Sequence, residues 1–169
     1  EYDWAGYIPF DELPRYKNPE RHFIATANNR VVPAGYRYHV NLGTLPYRAW
    51  RIEELLLKKS RFDIGDFMAI QGDLFSIPAA AMVHQLARVK GSTDVQPALD
   101  ILRVWNGVLS PDSPAAAIYE VFLEKLLGRL FVCARRLPGA AVALGRWQSS
   151  YLPHLLKQME GDDRTVLEL

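Results

Sequence analysis

A single cysteine in 169 residues excludes an internal disulfide. The surroundings of Cys133, LFVCARR, read as those of a small buried hydrophobe and not of a reactive thiol. No apolar run approaches the roughly 18 residues that a membrane-spanning helix requires, and the longest candidate, PGAAVALG, is short and built of small residues. Charge of one sign is lacking too. With 20 basic and 19 acidic residues the formal charge is +1, which offers no electrostatic footprint for DNA, RNA or anionic lipid. His22, His39, His84 and His154 fall in no H-x-x-x-H or H-E-x-x-H spacing, so there is no zinc signature. The carboxylates Asp63/Asp66, Asp73 and Asp162/Asp163 form no calcium loop and read as helix caps and a solvated acidic turn. No serine stands in a G-x-S-x-G elbow, and GAAVALG has neither the Lys-Ser/Thr ending nor the preceding strand of a phosphate loop. On its own contents the chain holds no complete active site.

What is present is an ordinary globular composition: 49% hydrophobic and 23% charged residues, which excludes a disordered chain. The chain opens EYDWAGYIPF, without an initiator methionine or signal-peptide pattern, and closes DDRTVLEL at what reads as a helix start. These ends predict a piece excised from a longer polypeptide. The reading is mainly α with a small β element, an α+β arrangement. Residues 1–43 form an extended segment with a short strand over 22–27 (HFIATA), and 44–169 form a helical region, the whole being one compact piece. Helices are predicted over 46–58, from 64 through about 89 with a kink at Pro78, over 95–106 with a stop at Gly107, over 115–137, and over 146–159. Ser113 followed by Pro114 marks an N-cap and first helical position, Ser76 reads as a packing or capping residue, and Trp105-Asn106-Gly107 as a packed ring before a helix stop.

Two features stand out as chemistry. FIATANNRVVP runs an apolar segment into Asn28 and Asn29. Adjacent asparagines are common in turns, where their amides bond the local backbone and tolerate left-handed conformations. An amide NH2 fixed at the end of a rigid segment is also a donor suited to a developing oxyanion. Arg48 is the second feature. It lies in the first turn of a helix, where the positive end of the dipole gives a cation no benefit. A solvated arginine is one reading and a functional partner the other.

The ordered series WAGYIPFDELPRYKNP, FIATANNRVVP, GYRYHV, LPYRAWRIEELL, MAIQGDLFS and WNG…DSPAAAIYE resembles the penicillin acylase family of N-terminal-nucleophile hydrolases, in part of its catalytic β chain. The likeness covers about residues 4–122. It implies a serine nucleophile exposed at the start of the β chain by cleavage of a precursor, with its own α-amine as general base. It further implies Asn28 as the side-chain oxyanion donor, Asn29 as the residue shaping the turn, and Arg48 as support for the nucleophile and the oxyanion site. The resemblance assigns the parent a periplasmic or secreted location and a small N-acyl amide substrate: a penicillin-like amide, an acyl-homoserine lactone or a lipopeptide. Its partners would be the rest of the same precursor, the α chain and the Ser-initiated part of the β chain, with no nucleic acid and no membrane. No cofactor is evident; calcium belongs to some relatives, with no residue here assignable to it. Ala27 stands where some relatives place tryptophan, and WNG replaces the commoner WDG. The rival expectation is a non-catalytic helical interaction or scaffold module derived from the family. A piece cut from its core is expected to self-associate as a homo-oligomer.

Overall fold

The computed structural model describes residues 6–38 and 45–134, the last five by backbone alone. The predicted helix over 146–159, together with His39, Thr44, His154, Asp162 and Asp163, lies outside the described residues, as does the Cys133 side chain. The chain divides into two compact units, Glu1–Asp63 and Ile64–Leu169.

Among its described residues the first unit contains one 3-10 turn, Phe10–Glu12, and one helix, α1 (Tyr47–Leu56). Pro46, at φ −76°, sets the first turn of α1, and its carbonyl accepts the N–H of Trp50 at 2.9 Å. The α1 face toward the interior carries Ala49, which is buried, and the half-buried Ile52, Leu55 and Leu56. Arg51 and Glu54 lie on its other side and Lys58 just past its end, with Glu54 bonded to both cations at 2.8 and 3.4 Å. Elsewhere polar and aromatic contacts tie the irregular backbone together. The Tyr36 hydroxyl donates to the Glu12 carbonyl at 2.6 Å, that of Tyr38 to the Glu12 carboxylate at 3.0 Å, and that of Tyr16 to the Val31 carbonyl at 3.0 Å.

The expected strand over 22–27 does not form. Among the described residues no sheet is present, and the run carries no regular secondary structure. The reason is visible at its ends: His22 (φ +58°) and Asn28 (φ +61°) both leave the β region for the left-handed one.

The described residues of the second unit are mainly helical: α2 (Ile64–Gln71), α3 (Ile77–Leu86), α4 (Gln96–Arg103) and α5 (Pro114–Ala134). The single kinked helix expected from 64 to 89 is two helices. Asp73 accepts the Phe75 N–H on its side chain at 3.3 Å, and Ser76 caps α3 by accepting the N–H of Ala79 at 3.3 Å, so Pro78 lies in a first turn where its missing N–H costs nothing. Facing backbone locks the break: Ser76 N–H donates to Gly107 O and Leu109 N–H to Leu74 O, both at 2.9 Å, around an isolated antiparallel bridge between Phe75 and Val108. Helix α4 stops at Arg103, three residues short of expectation; the Trp105 N–H turns back to Leu102 O at 3.1 Å, and beyond it the Asn106 side chain takes the N–H of Val108 at 3.1 Å. Gly107 follows at φ +79°. Ser113 caps α5 as expected, accepting the N–H of Ala116 at 3.2 Å.

Helices α3, α4 and α5 enclose the core. Ala79 and Met82 are fully buried, and Leu86, Leu99, Leu102 and Tyr119 close around them. Trp105 packs against this cluster with its ring 5.4 Å from that of Tyr119, and its indole N–H donates to Val108 O at 3.1 Å. No described helix is long and apolar enough to cross a membrane.

Candidate active site

The two adjacent amides do different work. Asn29 is consumed by the turn: its Oδ1 accepts the Ala27 N–H at 2.9 Å and the Thr26 hydroxyl at 3.4 Å, and its Nδ2 donates to Arg30 O at 3.3 Å. That clamp supports the left-handed backbone at Asn28, a conformation asparagine accepts more readily than most residues. The Asn28 side chain is thereby released from backbone duty.

It meets Arg48 instead. From the second residue of α1, Arg48 Nη2 donates to Asn28 Oδ1 at 2.9 Å and to the Ala27 carbonyl at 3.0 Å. A guanidinium has donors and no acceptor, so the atom facing it is the amide oxygen. The NH2 group of Asn28 is therefore turned to the other side, with no hydrogen-bond partner among the described residues. A cation on the oxygen also draws electron density from the amide and strengthens the N–H as a donor. Both side chains are exposed in this chain, while Ala27 beneath them is buried.

The arrangement thus brings together the two residues singled out from sequence, Asn28 and Arg48. Sequence reasoning missed the Ala27 carbonyl and the Thr26 hydroxyl, because a backbone acceptor and a lone threonine leave no mark in residue spacing. Among the described residues no three His, Cys, Asp or Glu side chains converge as metal ligands would.

A model of the penicillin amidase family matches residues 1–166. The chain is 33% identical over 129 residues to the penicillin acylase 2 proenzyme of Pseudomonas sp. (strain SE83), an overlap of 75% of this chain and 17% of that protein. It is 29% identical over 147 residues to the acyl-homoserine lactone acylase QuiP of Pseudomonas fluorescens (strain Pf0-1), covering 78% of this chain and 18% of the relative. The corresponding QuiP of Pseudomonas aeruginosa is 28% identical over 148 residues. The chain spans 17–18% of the length of these relatives. With most of its length matched, the chain belongs to the penicillin amidase family.

Proposed function

We propose that this chain supplies the side-chain half of the oxyanion site of an amide hydrolase that cleaves a linear N-acyl amide through an acyl-enzyme. The observation that carries the reading is the 2.9 Å bond from Arg48 to Asn28 Oδ1, which leaves Nδ2 as a pre-aimed donor. In the reaction a nucleophilic oxygen adds to the substrate carbonyl, and the C=O π electrons pass to oxygen. Asn28 Nδ2–H donates to that new charge, and Arg48 holds the amide so that no reorganisation is needed when the charge develops. Collapse of the tetrahedral species breaks the C–N bond and expels the amine, which takes the proton given up by the nucleophile's hydroxyl; water then cleaves the ester, releasing the carboxylic acid and restoring the hydroxyl.

The nucleophile in this reading is an N-terminal serine that this chain does not contain, so the chain alone is inactive. The rest of the parent polypeptide provides the nucleophile and the second oxyanion donor. The relatives named above favour an acyl amide of the penicillin or acyl-homoserine lactone kind as substrate. In the full-length gene product, Asn28→Ala should lower kcat about a hundredfold, the loss of one oxyanion donor worth ~3 kcal/mol, without unfolding the protein. Wild-type turnover in that variant overturns the assignment.

A non-catalytic helical interaction module is the second reading. It is favoured by an apolar cleft of about 470 Å³ in the second unit, lined by Leu86, Leu99, Leu102, Ile118 and Phe122 among others. Hydrolysis of phenylacetyl or long-chain acyl amides by the full-length product separates the two, since a scaffold module hydrolyses neither.

A further inference from the structure

The segment that ends at Asn28 starts at a second left-handed residue. His22 sits at φ +58°, its N–H held by the Pro19 carbonyl at 2.9 Å, and Asn28 sits at φ +61°. For a residue with a side chain this conformation is disfavoured, least so for asparagine, and it persists where surrounding contacts determine it. Both ends of the segment are tied to α1. At the far end Arg48 holds Ala27 and Asn28. At the near end Arg21 places a fork on Glu53, with Nη2 3.1 Å from Oε1 and Nη1 2.9 Å from Oε2, and its guanidinium lies 5.2 Å above the centre of the Phe23 ring. Glu53 stands one turn beyond the buried Ala49, so the two share a face of α1.

One tie lets a segment swing about the point of attachment; two ties at separate points on the same helix fix its direction. We propose that Arg21 and Glu53 are positioning residues: their fork sets the angle at which the Asn28 carboxamide is presented. The inference rests on the oxyanion reading of Asn28. The side chains are 52% and 28% exposed, and an ion pair screened by solvent in this way adds little to folding. Its consequence lies in aim, because a donor displaced by ~10–20° or ~0.5 Å no longer meets the charge it serves. Two planar groups joined at two points resist that rotation better than a single contact does.

The test compares the full-length gene product with its Arg21→Ala, Glu53→Gln and Asn28→Ala variants and with the doubly reversed Arg21→Glu, Glu53→Arg variant. The measured quantities are kcat, KM and melting temperature on a phenylacetyl or long-chain acyl amide. Breaking the fork should lower kcat about three- to fivefold at unchanged KM and melting temperature, and the reversed pair should regain most of it. The gap between wild type and Arg21→Ala should close in ~1 M salt, where screening reaches ~3 Å. Wild-type kcat in both fork variants, alongside a large loss in Asn28→Ala, overturns the positioning role and leaves the oxyanion reading standing. Wild-type turnover in Asn28→Ala overturns both. A fall in kcat that tracks a fall in melting temperature, or that reversal does not restore, also counts against positioning. If the product cleaves neither amide, crystal structures of wild type and Arg21→Ala decide: a carboxamide displaced by more than ~0.5 Å supports the proposal, and an unmoved one overturns it.

Discussion

The two units of this chain are held together by different physics. In the second, three helices close over Ala79, Met82, Leu86, Leu99, Leu102 and Tyr119, and hydrophobic burial does most of the work. In the first, the only described residues that are buried and apolar are two alanines, Ala27 and Ala49, while Tyr7, Phe10, Tyr16, Ile24, Trp50 and Leu57 lie exposed. Its order comes from directional contacts instead: tyrosine hydroxyls on Glu12, the Arg21–Glu53 fork, and the Asn29 clamp. Packing is non-directional and sets a fold; hydrogen bonds and ion pairs set angles. The candidate oxyanion donor is found in the unit governed by angles.

That contrast can be broken at several points. The largest expected effect is on the core: Met82→Ala removes a fully buried side chain and should destabilise the second unit by about 2–5 kcal/mol, read as a fall in denaturant midpoint. A loss below ~1 kcal/mol would mean that the helical unit does not depend on this packing. Gly107→Ala comes next. Gly107 is at φ +79°, and an added Cβ would lie 3.0 Å from the Ala80 Cβ and 3.3 Å from its backbone nitrogen. Strain and crowding together should cost about 1–3 kcal/mol, and an unchanged melting temperature would contradict the close approach of this turn to α3.

The smallest effect belongs to the first unit. The hydrogen bond from Arg51, together with the nearby charges of Arg51 and Lys58, holds the Glu54 carboxyl below its ordinary range. The native state then binds that proton less readily than the unfolded chain. The resulting stabilisation is complete above the ordinary carboxylate pKa and disappears as pH falls through it toward the lower native value. The melting-temperature difference between wild type and Glu54→Gln should accordingly narrow as pH falls below the ordinary glutamate pKa of about 4.3. A difference independent of pH contradicts the assignment.

Much of the helical unit was legible in the sequence, because its signals are local. Ser113 before Pro114 marks the start of α5, and Trp105-Asn106-Gly107 marks a packed ring and a stop. The break between α2 and α3 was not legible. It depends on backbone bonds from 74 and 76 to residues beyond 106, and no window of neighbouring residues contains them. The same holds for the strand expected over HFIATA: composition favours β, but the left-handed turns at His22 and Asn28 prevail. For the site, residue types and motif order singled out Asn28 and Arg48. The Arg21–Glu53 fork joins residues 32 apart and was invisible until the chain was folded.

The most direct test of the central claim is the turnover of Asn28→Asp in the full-length product. This variant keeps an oxygen for Arg48 to hold and nearly the same shape, but has no N–H to offer. The account predicts a loss in kcat of about a hundredfold or more, with the fold and melting temperature preserved. Turnover equal to wild type would show that the Asn28 amide donates nothing to the reaction.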